Sequence, residues 1–138
     1  MKALIVEDSK YTLMALEEAV KKVFPKHFAS YTLDVAKCYN EAEQMTEKPY
    51  DFVLLDNSMP RENTGDLEKT DFDKFSELQE EIGYTLIPKI KNKNPKCIVV
   101  GTSNMHQDDL RRFQKPDFTL RKLFNYAEED LEKILREK

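Results

Sequence analysis

The chain has 138 residues, 40% of them apolar and 35% charged, with 22 bases against 26 acids and a formal net charge of -4. That is the length of one domain, able to bury roughly two-thirds of the surface its unfolded form exposes, so no disulfide or metal staple is needed to fold it. The acidic balance argues against general nucleic-acid binding, which draws on excess Lys and Arg.

The N-terminal apolar run Ala3-Leu4-Ile5-Val6 is too short for a signal peptide or a membrane span and reads as a strand buried on both faces, stopping at Glu7-Asp8-Ser9. Leu13, Leu16, Val20 and Phe24 recur at helical spacing, with Asp8 or Ser9 as N-cap and Pro25 as the close. Tyr31 to Val35 alternates as a strand, residues 38–47 read as a short helix packed through Ala42 and Met45, and Pro49 ends it. Residues 50–55 form a second buried strand ending at Asp56. A third such strand, Cys97 to Val100, ends at Gly101-Thr102-Ser103-Asn104. A helix over 106–114, a strand over 118–121 and a final helix follow. The last carries a capping-box spacing, Asn125 with Glu128, and a stripe of Ala127, Leu131, Ile134 and Leu135. Cys38 and Cys97 have no CxxC or His spacing, so buried free thiols are expected, with cytoplasm as the default compartment. His27 and His106 read as solvated surface residues.

Strands alternating with helices predict an α/β fold, an open parallel sheet covered on both faces, whose ligands lie beyond the carboxyl ends of the strands. Glu7 and Asp8, Asp56, Thr102 and Lys122 all stand at such ends. Residues 61–82 depart from the pattern: they hold eight acids and three bases, so the rest of the chain carries a net charge of about +1. Phe75, Leu78, Ile82 and Leu86 in and beyond this stretch keep helical spacing, which predicts an extra or extended helix before the fourth strand. Gly83 and Pro88 interrupt it, so that helix either kinks near Pro88 or a new one starts just before it.

Three carboxylates at one sheet edge raise one another's pKa unless something positive lies among them. An all-oxygen set without His or Cys suits Mg²⁺. A lysine and a hydroxyl at neighbouring strand ends add groups able to hold phosphoryl oxygens. The pieces LIVEDS, FVLLDNSMP, VVGTSN and TLRKLF, in this order, resemble a response-regulator receiver domain, the phospho-acceptor module of two-component signalling, over all of the chain but about twenty residues.

The resemblance implies a flavodoxin-like, doubly wound five-stranded parallel sheet of order 2-1-3-4-5, in a single domain over 1–138 with an insertion at about 61–82. It implies that Asp56 accepts a phosphoryl group from a histidine kinase or phosphotransfer protein. Asp8 would hold Mg²⁺ directly, Glu7 through water, with Asp56 and the Ser58 backbone carbonyl as further ligands. Thr102 and Lys122 would bind the phosphoryl group, and the loop after Thr102 would switch. Such a chain catalyses only its own phosphorylation and dephosphorylation. With nothing after the last helix it would signal by protein contact, docking on a target or relaying phosphate, and could pair with a second copy through the last two helices; no nucleic-acid or membrane partner is expected.

Several positions depart from the pattern. Leu123 stands where a proline usually follows the lysine, which disfavours a cis bond there. Lys115-Pro116 is a rival match, set aside because the apolar strand 118–121 would then follow the site. Thr119 stands where the coupling aromatic usually lies, with Phe118 adjacent, and Ser103 stands where Ala is commoner. Against the phospho-acceptor stands a non-phosphorylated, receiver-like adaptor in which the insertion shields Asp56. A third possibility, a phosphohydrolase built on Asp71-Phe72-Asp73, lacks the buried strand that should precede such a motif. No P-loop or GxGxxG is present.

Overall fold

The computed structural model describes residues 1–102 and 115–138. Five strands, β1 (Lys2–Val6), β2 (Thr32–Ala36), β3 (Phe52–Leu55), β6 (Ile98–Gly101) and β7 (Phe118–Thr119), form one sheet in the order β2-β1-β3-β6-β7. Every neighbouring pair in it is parallel. Counting these five strands alone, the order is 2-1-3-4-5, the flavodoxin-like topology expected.

The unbroken apolar runs are explained by the two faces they serve, because successive side chains of a strand point to opposite sides. Ala3, Ile5, Phe52, Leu54 and Val100 pack on one face with α1 (Lys10–His27) and α6 (Phe124–Glu137). Leu4, Val6, Val53, Leu55 and Val99 face the other side, against α2 (Tyr39–Met45) and α5 (Ile87–Lys93). Phe24 anchors the first face, edge-on to Phe28, Tyr31 and Phe52 with ring centroids 5.2–5.4 Å apart. Cys38 and Cys97 are buried free thiols, and burial pushes the Cys97 thiol up to about 12.

Three local expectations are corrected, and the N-cap at Ser9 is borne out by position. Helix α1 runs through Pro25 to His27, and Phe28 N–H still donates to the Phe24 carbonyl at 2.9 Å. A proline in the last turn removes one intrahelical bond near an end that is already undersupplied. Ser9 holds the N-cap position without a side-chain bond. Helix α6 starts at Phe124, so the Asn125 and Glu128 capping box is not formed; Glu128 lies 3.6 Å from Lys22 of α1 instead. His27 is half-buried, with Nε2 3.0 Å from Glu132 of α6, a partner 105 positions away in sequence.

The acidic stretch is not one helix. It contains α3 (Leu67–Thr70) and α4 (Phe72–Glu77), then a two-residue strand β5 (Glu80–Glu81) paired antiparallel with β4 (Ser58–Met59). Asp71 ends α3 and caps α4, its side chain accepting from Lys74 N–H at 3.2 Å. It is therefore an exposed helix cap, not the end of a buried strand. The helical stripe breaks because Ile82 and Gly83 N–H both donate to the Asn57 carbonyl, at 3.0 and 2.9 Å. A 3₁₀ turn over Gly83–Leu86 leads into α5, with Pro88 in its first turn, where a missing N–H is harmless. Of the two outcomes foreseen for Pro88, a new helix starts just before it. The helix expected over 106–114, with His106 and Ser103, lies outside the described residues.

Candidate phosphoryl-acceptor site

Three of the strand-end residues are tied to the sheet by their own backbone. Glu7 N–H donates to the Ala36 carbonyl (3.0 Å), Asp56 N–H to the Val6 carbonyl (3.2 Å) and Thr102 N–H to the Leu55 carbonyl (3.0 Å). The hydrogen-bond ladder therefore extends one residue past β1, β3 and β6, and brings three polar side chains to one edge with little backbone freedom. Glu7, Asp56 and Thr102 are 1%, 4% and 0% exposed.

One oxygen from each of Glu7, Asp8 and Asp56 lies within 4.8 Å of the others. Lys122 reaches in from beyond β7, with Nζ 2.7 Å from Asp56 Oδ2 and 3.1 Å from Glu7 Oε1. Its position is set by Arg121, which forks onto Asp130 of α6 at 2.9 and 2.7 Å while its backbone N–H donates to the same carboxylate at 2.9 Å. Lys122, not the exposed Lys115, meets the carboxylates, and the described residues contain no cis peptide bond.

The electrostatics follow from three acids and one base withdrawn from water. Burial first, and the Asp56 charge second, hold the Glu7 carboxyl well above its ordinary range. Burial also raises Asp8, against the pull of a hydrogen bond from Gln79. Burial alone lowers the Lys122 ammonium, but the charges of Asp56 and Glu7 outweigh it and hold it above its usual value. A single ammonium leaves the cluster short of positive charge. The all-oxygen donor set with one half-buried member, Asp8, fits a hard divalent cation such as Mg²⁺. Thr102 Oγ1 is buried with no hydrogen-bond partner among the described residues.

Of the other expected residues, Ser58 stands in β4 opposite Glu81, its N–H 3.3 Å from Asp56 Oδ1. Phe118 is half-buried and Thr119 exposed, both in β7. Motif reading missed the contribution of the acidic stretch. Gln79 Nε2 donates to Asp8 Oδ2 at 2.7 Å, and Tyr84 N–H to Asn57 Oδ1 at 2.9 Å. Gly83 lies so close to the Asp56 backbone that a Cβ would collide with its carbonyl oxygen. The interruption at Gly83 was the one visible mark of this close approach; nothing in the sequence distinguished Gln79.

No protein-family model matches the chain, and no curated protein matches it. Solved structures do, and they are response-regulator receiver domains, so the chain has the receiver fold. A BeF3-activated DrrB receiver domain superposes with a TM-score of 0.64 at 19% identity, covering 99% of this chain and 97% of that one. A receiver protein from Sinorhizobium medicae gives 0.65 at 16%, covering 99% and 94%. The receiver domain of AraT from Geobacillus stearothermophilus gives 0.65 at 18%, covering 99% and 90%.

Proposed function

We propose that this chain is a phospho-accepting receiver in which Asp56 takes a phosphoryl group from a phosphohistidine on a sensor kinase or phosphotransfer protein. The observation that carries this reading is the meeting of Lys122 Nζ with Asp56 Oδ2 at 2.7 Å inside a cluster of three carboxylates, at the strand edge that also carries the buried Thr102 hydroxyl. An Asp56 oxygen attacks phosphorus, a P–O bond forms, the P–N bond breaks, and the imidazole leaves with the electron pair and takes a proton from solvent. The products are an aspartyl phosphate and a free histidine.

Lys122 then pairs with a phosphoryl oxygen, and the Thr102 hydroxyl donates to another. Asp8, Asp56 and the Ser58 carbonyl would hold Mg²⁺, with Glu7 acting through water; the ion supplies neutralisation of charge on the transferring oxygens. The chain would act on itself alone, as a switch of protein contacts or a relay, and not as an enzyme with a separate substrate. With Mg²⁺ and acetyl phosphate, intact mass should rise by one phosphate, and Asp56→Ala should abolish the gain. Absence of the adduct under conditions that label another receiver would refute the assignment.

The adaptor reading keeps a specific support: Asp56 is 4% exposed and Asp8 is already engaged by Gln79. Beryllofluoride with Mg²⁺ separates the two, since a shielded site leaves the mimic unbound.

A further inference from the structure

Residues 61–82 bury a single side chain, Phe75, yet they are fastened to both loops that carry the carboxylates. At the first residue of α1, Glu68 Oε1 accepts from Lys10 N–H at 2.9 Å, and on the loop after β1 Gln79 Nε2 donates to Asp8 Oδ2 at 2.7 Å. The same amide nitrogen reaches the Phe75 carbonyl at 3.2 Å, so the end of α4 is what presents it. On the acceptor loop, Asn57 takes the N–H groups of Ile82 and Gly83, and Glu80–Glu81 pair with Ser58–Met59.

An amide N–H given to a carboxylate and a divalent cation ask for the same lone pairs. The N–H dipole also turns its positive end toward the place a cation would take. Resting on the reading of Glu7, Asp8 and Asp56 as a cation site, we propose that residues 67–82 form a clasp, closed by the bond from Gln79 to Asp8 and opened when a divalent cation takes Asp8.

Apolar burial adds little to these polar fastenings. Helix α4 has six residues and one buried apolar anchor, while Phe72 and Leu78 remain exposed. Competition at one carboxylate is reciprocal: the factor by which the closed clasp weakens cation binding is the factor by which the cation loosens the clasp. The acidic stretch thereby couples cation occupancy, and with it readiness of Asp56, to a surface that changes shape.

The test is hydrogen–deuterium exchange on the full chain with and without saturating Mg²⁺, alongside Mg²⁺ titration calorimetry. One net hydrogen bond of the usual strength corresponds to about fivefold. Mg²⁺ should therefore speed exchange over 67–82 about fivefold while leaving β1 and β3 unchanged. Gln79→Ala should exchange at the loaded rate throughout and bind Mg²⁺ about fivefold more tightly. Gln79→Glu, which sets a further carboxylate beside Asp8, should also open the clasp and bind Mg²⁺ more tightly than the wild type.

Mg²⁺ binding that leaves exchange at 67–82 unchanged or slower overturns the clasp, as does unaltered or weaker affinity in Gln79→Ala. Those results leave the acceptor reading standing if Asp56 still gains phosphate. Failure of wild type and variant alike to bind Mg²⁺, with no adduct at Asp56, removes the cation site and the clasp together.

Discussion

Two regions meet at the acceptor loop, and different forces hold them. The central strands β1, β3 and β6 carry side chains buried on both faces of the sheet, and their backbones are paired on both edges. Residues 61–82 hold eight acids and three bases, bury only Phe75, and are attached by polar contacts at their rim, among them Glu68 to the Lys10 N–H at 2.9 Å and Asn63 to Glu41 at 2.8 Å. Apolar burial contributes roughly 25 cal/mol per Å², with no geometry to satisfy, whereas a hydrogen bond nets only about 1 kcal/mol and exposed ion pairs less. The sheet should therefore unfold with the whole protein, and the acidic stretch should open in a local equilibrium of its own. A rigid edge that places the carboxylates and a loosely held segment laid across it are what a regulated site requires.

The contrast can be broken from the rigid side. Leu54→Ala, in a strand with no room to relax, should cost about 3 kcal/mol in denaturant unfolding and leave the slope nearly unchanged. Phe75→Ala sharpens the contrast. The segment can undock instead of carrying a cavity, so global stability should fall by only about 1 kcal/mol, while exchange at 67–82 rises strongly. A loss from Phe75→Ala equal to that from Leu54→Ala would show the stretch to be part of the cooperative core.

The smallest effect concerns charge. Glu7 is held above its ordinary 4.5, chiefly by burial, so the folded protein binds a proton there more tightly than the unfolded chain does. Its contribution to stability is present in full below the unfolded value and is lost as pH rises through the folded one. Without divalent cation, stability should decline from mildly acidic pH toward neutral, and Mg²⁺ should restore it by taking the proton's place. Glu7→Gln should flatten the decline and gain about 1 kcal/mol near neutral pH, read from melting curves across that range. An unchanged pH slope would show that Glu7 is already compensated by Lys122.

The fold and most of the strand-edge cluster were legible because each rests on a short-range rule. Four-residue apolar runs ending in acids, a Met-Pro after Asp56 and a hydroxyl after Val100-Gly101 are local patterns that need no partner to be seen. Boundaries were less legible where tertiary contacts overrode local preference: Pro25 stayed inside α1, and Glu128 turned to Lys22 instead of completing a cap. The stripe through Phe75, Leu78 and Ile82 obeyed helical spacing, yet the backbone at Ile82 and Gly83 gave its donors to Asn57.

By itself the sequence determined the alternation of strands and helices, the apolar faces of the sheet, and which acids, hydroxyl and lysine end the strands, since periodicity and residue type carry that information along the chain. The strand at 118–121 already favoured Lys122 over Lys115, but only the tertiary structure showed Lys122 on Asp56, His27 facing Glu132 and Gln79 lying on Asp8. These contacts join residues 66, 105 and 71 positions apart, and no local pattern encodes a distance that the packing of separate elements sets.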